Sequence, residues 1–261
     1  MNLSNNTLLL AYVSVILFIL GTIMASFINC VAGRIVNGED WIKGRSYCDH
    51  CHHELGPLDL VPIFSYLFLK GKCRYCGKKI PPDNLYTELF LGICFVITFL
   101  NRKALDYILV RDLILEVILL GLSLVDLKTY IIPDGFIIAG IINWLVSILF
   151  VADKLDYFKS GIIGGLGISL TILIISLIVD KALGKESLGG GDIKLLFMVC
   201  LYTGFFKGFF LLFLSCAIGL FFVLSLKKEK IPFGPSISMA TFVVMLYGDL
   251  VLNWYLSLFL G

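Results

Sequence analysis

The chain has 261 residues, 59% of them hydrophobic, and a mean hydropathy of +0.95. This composition excludes an ordinary soluble domain, and several apolar runs approach the roughly 20 residues that span a bilayer. The formal net charge of +2 points to no particular partner. The sequence therefore predicts an all-α polytopic membrane protein.

The first apolar run covers residues 8–28, and no Lys or Arg precedes it. A cleaved signal peptide would carry a positive segment there. We therefore predict that residues 1–30 form an uncleaved first transmembrane helix whose N-terminus lies outside.

Residues 31–83 are polar and basic, and they hold eight of the 21 Lys and Arg residues. Because positive charge concentrates in cytoplasmic loops, this segment is predicted to be cytoplasmic. It contains two cysteine pairs, Cys48-x-x-Cys51 and Cys73-x-x-Cys76, with 21 residues between them. That spacing is typical of a four-thiolate zinc site, which would be structural because no coordination position stays open.

Two alternatives to a four-cysteine site remain open from the residues alone. The cysteines could form two disulfides, although a cytoplasmic segment is kept reduced. One member of the cluster His50, His52 and His53 could also replace a thiolate, although four cysteines already satisfy a tetrahedral ion.

Residues 84–261 are predicted to form a domain of seven further membrane helices, giving about eight in total. The predicted segments are 86–100, 107–125, 135–151, 161–179, 193–206, 208–226 and 236–259. With this layout 15 of the 21 Lys and Arg residues lie on the cytoplasmic side, so both termini are predicted to be outside. The sixth segment is short, about 21 Å, which would leave its start accessible to water.

Two acidic residues stand at the edges of apolar runs, where ionisable side chains are usually functional. Asp126 ends the third membrane helix, and Asp192 begins the sixth, 66 residues later. Both are predicted at the cytoplasmic face, as the catalytic pair of an aspartyl protease. The alternative is structural: Asp192 caps a helix and Asp126 is an ordinary loop acid.

The glycines Gly189, Gly190 and Gly191 immediately precede Asp192. Because they leave the backbone bare, we predict that they bind the substrate backbone. Three other acids lie outside the predicted pair. Asp134 is expected to cap the fourth membrane helix and Glu116 to pair with a neighbouring helix, and Asp249 is assigned no role.

Six pieces of the sequence, in chain order, resemble the type IV prepilin peptidases, a Gly-x-Gly-Asp class of membrane aspartyl protease. They are Ala25-Ser26-Phe27-Ile28-Asn29, the two cysteine pairs, Glu88, Asp126 through Pro133-Asp134, Gly189-x-Gly191-Asp192-Ile193-Lys194-Leu195-Leu196, and Ile231-Pro232-Phe233-Gly234-Pro235. The family often has Gly-Ser-Phe-Leu-Asn where this chain has the first piece.

The resemblance implies that the enzyme removes the basic leader of prepilin-like precursors after a Gly, at the cytoplasmic face of a bacterial inner membrane. It implies that Asp126 and Asp192 catalyse this cleavage. It also implies methylation of the new N-terminal residue from S-adenosylmethionine, which we associate with the first piece and the cysteine module. The implied partners are prepilins or pseudopilins, the lipid bilayer and pilus or secretion machinery, without nucleic acid.

Two other classes of protein fit parts of the sequence. A transporter with a zinc-stabilised loop is one, but transport sites favour charges near the bilayer midplane and paired repeats. A noncatalytic assembly scaffold is the other, in which both acids would only cap helices.

Overall fold

The computed structural model describes residues 6–40, 44–184, 188–226 and 231–260. Within these ranges there is no β-strand, and extended segments pair only in two isolated bridges. The predicted all-α class is confirmed. The described helices are α1 (Thr7–Asn37), α2 (Phe64–Phe68), α3 (Asp83–Arg102), α4 (Tyr107–Thr129), α5 (Asp134–Ile148), α6 (Lys154–Leu183), α7 (Gly190–Leu226) and α8 (Gly234–Leu260), with a 3-10 turn at Pro57–Asp59.

Five of the described helices are long and apolar enough to cross a membrane: α1, α3, α6, α7 and α8. Helix α5 is apolar but has only 15 residues. Helix α4 has 23 residues, and five of them are charged. These helices make the chain a multi-pass membrane protein.

Helix α7 is interrupted at Gly204, whose φ of 72° and ψ of −175° are not helical. Residues 200 and 208 would be about 12 Å apart along a straight helix. A Cβ placed on Gly208 would nevertheless lie 3.1 Å from the Sγ of Cys200. The chain therefore reverses direction at Gly204 and forms two arms, residues 190–203 and 205–226. They correspond to the predicted sixth and seventh segments, with the break at Gly204.

The two arms of α7 pack against α6 through glycines. A Cβ on Gly161 would lie 2.8 Å from the carbonyl oxygen of Leu201, and one on Gly164 would lie 2.5 Å from the carbonyl carbon of Gly204. The glycines near the start of α6 therefore allow close helix packing. Without side chains at these positions, the backbones of α6 and α7 approach each other directly.

The chain divides into two compact units, of which the first ends at Gly121 and the second begins at Leu122. In the first unit α1 packs against α3, where a Cβ on Gly21 would lie 2.8 Å from the Cα of Gly92. The cysteine-containing segment follows α1 in the same unit. The second unit contains the end of α4 and helices α5 to α8. The predicted domain bounds at residues 30 and 83 stay predictions.

Candidate active site

Asp126 lies in the last turn of α4 and is almost fully buried, with 3% of its surface exposed. Its Oδ2 accepts a hydrogen bond of 2.9 Å from the backbone N–H of Gly234. Gly234 is the first residue of α8. The carboxylate therefore lies at the N-terminus of α8, where unpaired N–H groups and the helix dipole favour negative charge.

The contact between Asp126 and α8 requires a glycine. A Cβ on Gly234 would lie 2.6 Å from Oδ2 of Asp126, which is too close for real atoms. In the sequence Gly234 belongs to the piece Ile231-Pro232-Phe233-Gly234-Pro235, and no role was predicted for it. Gly234 lies 108 residues from Asp126, and no local sequence pattern links the two positions, so the contact was not predicted.

Asp192 is the third residue of α7 and is half-buried. Its backbone N–H donates to the carbonyl of Gly189 at 3.0 Å, and its carboxylate accepts the backbone N–H of Gly189. This reciprocal arrangement resembles a capping box in which Gly189 is the N-cap residue. Asp192 therefore does bond a free N–H group at the start of α7, although it is not itself the N-cap residue. Its carboxylate also lies close enough to Asp126 to interact with it electrostatically.

The segment after Asp126 reaches the glycines that precede Asp192. Tyr130 ends α4 in the left-handed conformation, with φ of 58°, and its N–H donates to the carbonyl of Asp126 at 2.8 Å. Ile132, two residues later, is buried against Gly191. A Cβ added to Gly191 would lie 3.2 Å from the Cβ of Ile132. This contact holds the start of α7 against the end of α4 and so brings the two acids together.

The three glycines before Asp192 have different surroundings. The space at Gly191 is occupied by Ile132, and a Cβ on Gly189 would lie 3.2 Å from Oδ2 of Asp192. Gly190 is exposed and has no atom within 4 Å of the position of a Cβ. Among the three, Gly190 therefore has the open surface that another chain could approach.

The other acids make contacts of their own. Asp134 is the first residue of α5 and makes no capping bond, so its predicted capping role is wrong; its carboxylate instead pairs with Lys194 at 2.7 Å. Glu116 accepts a hydrogen bond from the Thr98 hydroxyl on α3, so its predicted helix–helix pairing is confirmed.

Asp249, for which no role was predicted, pairs with Lys207 at 2.9 Å. Its side chain is mostly exposed, so this pair contributes little to stability.

The four cysteines of the first unit meet at one place. The sulfurs of Cys48, Cys51, Cys73 and Cys76 all lie within 4.8 Å of one another, and those of Cys48 and Cys76 are 4.0 Å apart. A tetrahedral zinc with bonds of about 2.3 Å would place sulfurs about 3.8 Å apart. The cluster can therefore hold a metal ion of this size.

Each cysteine pair sits in the same kind of turn. The N–H of Cys48 donates to His53 and that of Cys73 to Lys78, while the carbonyls of Cys48 and Cys73 accept from the residues four positions later. Those residues, His52 and Gly77, both have positive φ. His52 thus occupies the position that Gly77 occupies in the second turn. Its backbone N–H closes the first turn by donating to the carbonyl of Cys48.

The second turn also favours a thiolate. The backbone N–H groups of Cys76 and Tyr75 lower the pKa of the Cys73 thiol to about 7. A metal ligand must be deprotonated, so this lowering suits a metal centre.

The site residues fall within two matched family models. The model described as the bacterial peptidase A24 N-terminal domain matches residues 19–102, which include the four cysteines. The model described as the type IV leader peptidase family matches residues 113–224, which include Asp126 and Asp192.

Several curated proteins are similar over most of the chain, and each of those described here is named a prepilin leader peptidase/N-methyltransferase. The protein of Bacillus subtilis is 30% identical over 257 residues, covering 94% of this chain and 99% of its own. That of Aeromonas hydrophila is 28% identical, covering 83% and 76%. That of Neisseria gonorrhoeae is 27% identical, covering 83% and 77%. No solved structure matches.

Proposed function

Because this chain belongs to the type IV leader peptidase family, we propose that it cleaves prepilin-like precursors with Asp126 and Asp192 as the catalytic pair. The observation that carries the proposal is the placement of two carboxylates from separate helices near each other, one of them held by the N-terminus of α8. A transporter or scaffold interpretation gives no reason for this convergence.

The chemistry follows from two acids in close proximity. Two nearby carboxylates do not both ionise readily, so the pair shares one proton. The ionised member removes a proton from water, and the protonated member donates its proton to the scissile carbonyl. The Gly234 N–H keeps one oxygen of Asp126 occupied. The other oxygen stays available for this proton transfer.

The substrate, the second reaction and the location belong to the same proposal. The precursor's apolar helix would lie in the bilayer, with its basic leader cleaved after Gly at the cytoplasmic face of a bacterial inner membrane. The new N-terminal residue would then be methylated from S-adenosylmethionine, as the names of the relatives imply. The products would serve a pilus or a secretion machine.

The ion proposed for the cysteine cluster is zinc, held by Cys48, Cys51, Cys73 and Cys76. Four sulfurs leave no position for a substrate, so this ion would fix the fold of the segment and take no part in peptide cleavage. In the described part of that segment the helical pieces are short, residues 57–59 and 64–68. The segment therefore depends on the metal for its stability.

The central prediction concerns the acid pair. We expect Asp126→Asn and Asp192→Asn each to lower the rate of cleavage of a prepilin-like peptide by at least about 10²–10⁴-fold, the usual contribution of a general acid or base. Asparagine keeps an oxygen acceptor for the N–H groups of Gly234 and Gly189, so both variants should fold.

Asp249→Asn is the matched control for the acid pair, because it removes an exposed acid of the same unit and should cleave normally. Rates are compared at equal folded protein in detergent. Cleavage by either catalytic variant at the wild-type rate would refute the dyad. A loss of folded protein without a loss of turnover would instead favour the scaffold interpretation.

A second prediction concerns the contact between α8 and Asp126. In Gly234→Ala the new Cβ would displace the Asp126 carboxylate, and displacement by about 1 Å costs on the order of 10²-fold in rate. Gly135→Ala is the control, since Gly135 also lies at a helix start but has open space around it. Normal cleavage kinetics of Gly234→Ala would show that the Gly234–Asp126 contact is dispensable.

A third prediction concerns substrate binding along the glycines. Because the side-chain position of Gly190 is open, Gly190→Ala should keep the wild-type melting temperature. If the substrate backbone packs there, kcat/KM falls by about tenfold or more because a methyl group enters the contact. Unchanged kcat/KM would remove Gly190 from the proposed substrate-binding residues, Gly189, Gly190 and Gly191.

A fourth prediction concerns the metal. We expect elemental analysis to find one zinc per chain, and we expect Cys73→Ser to lose it, because the serine hydroxyl is a poor zinc ligand. Cys216→Ser, an exposed cysteine outside the cluster, should retain full zinc. A chelator should also make residues 44–81 sensitive to protease. Two disulfides by mass spectrometry, or full zinc in Cys73→Ser, would contradict this site.

A further inference from the structure

The short helix α2 and the residues just before it carry an exposed apolar surface. Phe64 is 60% exposed, Leu67 59% and Phe68 82% within the described part of the chain. Because these positions are three and four residues apart, they lie on one face of α2. Val61, three residues before Phe64, and Leu58 in the 3-10 turn are exposed as well. We call these five side chains the α2 apolar face.

An apolar surface at this place is not accounted for by a membrane-spanning helix. The exposed apolar side chains of α1 and α3 face lipid, because both helices are long enough to cross a bilayer. Helix α2 has only five residues and cannot cross. A surface in water rarely presents several large apolar side chains together, and such a patch marks a contact with a membrane or another protein.

The level of α2 along the spanning helices is set by one hydrogen bond. Ile63, just before α2, donates its backbone N–H to Oε2 of Glu88 on α3 at 2.7 Å. Glu88 lies five residues after the first residue of α3, which is about 7 Å along the helix axis. The 20 residues of α3 are about 30 Å long, the thickness of the hydrocarbon core. Helix α2 is therefore held beside α3 near one edge of that core.

The first helix places α2 at the same level. The Ser26 hydroxyl also bonds to the Glu88 carboxylate, and the apolar run of α1 ends at residue 28. Phe27 of α1 and Tyr86 of α3 are exposed aromatic residues next to these positions. Aromatic side chains concentrate where hydrocarbon meets lipid headgroups. Both spanning helices thus place α2 at the depth of that boundary.

The residues that follow the α2 apolar face are basic. Lys70 and Lys72 are exposed, and no ion pair involves either of them among the described residues. Arg74, the next basic residue, is instead paired with Asp59 at 2.7 Å. Lysines beside an apolar face are typical of segments that lie on anionic bilayers, because their ammonium groups reach lipid phosphates.

We propose that α2 and the 3-10 turn before it lie in the membrane interface, with the α2 apolar face inserted among the lipids. Lys70 and Lys72 bind the phosphates of anionic phospholipid. An interfacial helix buries its apolar face about 5–10 Å into the boundary between headgroups and acyl chains. The depth of Glu88, about 7 Å along α3, agrees with that range. The contact is independent of peptide cleavage.

This membrane contact orients the cysteine cluster. The Tyr66 hydroxyl of α2 donates to the carbonyl of Ile80 at 3.3 Å, and the Ile80 N–H donates to the carbonyl of Gly71 at 2.8 Å. Gly71 and Ile80 flank the second cysteine pair in the sequence. An α2 fixed in the interface therefore holds the second cysteine turn at the bilayer surface, beside α1 and α3.

The test measures the depth of position 68 in the full chain, with one chain in each lipid nanodisc. 4-Trifluoromethylphenylalanine replaces Phe68, and its fluorine NMR signal is recorded with a lipid that carries a nitroxide on its upper acyl chain or with a water-soluble paramagnetic chelate. We expect the lipid nitroxide to broaden this signal more strongly than the chelate does. The same probe at Glu54, whose ion pair with Arg45 is exposed, is the matched control and should respond mainly to the chelate.

Lipid charge tests the two lysines. Broadening of the position 68 signal by the lipid nitroxide should be greater in phosphatidylglycerol nanodiscs than in phosphatidylcholine nanodiscs. Lys70→Gln/Lys72→Gln should abolish this difference, whereas Lys154→Gln/Lys159→Gln, which changes two exposed lysines of α6, should retain it. A difference of wild-type size in Lys70→Gln/Lys72→Gln would overturn the phosphate contacts.

The other outcomes at position 68 are equally decisive. Stronger broadening by the chelate would place the α2 apolar face in water and overturn the proposal. Broadening by neither agent would mean that protein covers the face, which also overturns it. A chelate-accessible signal that becomes protected when a prepilin-like peptide is added would make the face a peptide-docking surface instead. Circular dichroism verifies the fold of each labelled chain, and Phe64 takes the probe if labelling at Phe68 unfolds the chain.

Discussion

The hydrogen bond from the Gly234 N–H to Asp126 is the contact on which the second unit's site depends. It joins the end of α4 to the start of α8 and provides the buried carboxylate with a hydrogen-bond donor at a helix N-terminus. Without such a donor, a carboxylate with 3% of its surface exposed would be strongly disfavoured. The bond engages one oxygen of the carboxylate, and it requires a residue without a side chain at position 234. A structural constraint and, in the proposed mechanism, a catalytic one therefore coincide at a single glycine.

The second carboxylate is positioned by a separate set of contacts that converge on the same place. Asp192 exchanges hydrogen bonds with Gly189, while the packing of Ile132 against Gly191 fixes the start of α7. Farther along, the reversal at Gly204 lets both arms of α7 pack on the glycines of α6. The short first arm thus begins at the acid pair and ends where the chain turns back. The position of Asp192 is set at both ends of that arm by glycines.

The sequence predicted those features that depend on local patterns. Apolar runs located the helices, the cysteine spacing located the metal cluster, and an acid at each of two helix ends marked the candidate pair. It could not predict contacts between distant residues. Gly234 lies 108 residues from Asp126, and Asp134 was mistaken for a cap because its partner Lys194 lies 60 residues away. The predicted sixth and seventh segments divide at Lys207, whereas the backbone turns at Gly204.

The proposed cleavage needs a pair of carboxylates that share one proton. Helix N-termini beside Asp126 and Asp192 favour the one negative charge that such a pair would keep. Each carboxylate accepts a backbone N–H from a glycine at a helix start, Gly234 for Asp126 and Gly189 for Asp192. The two acids therefore share the same kind of surroundings although they come from separate helices, which is what a proton-sharing pair requires.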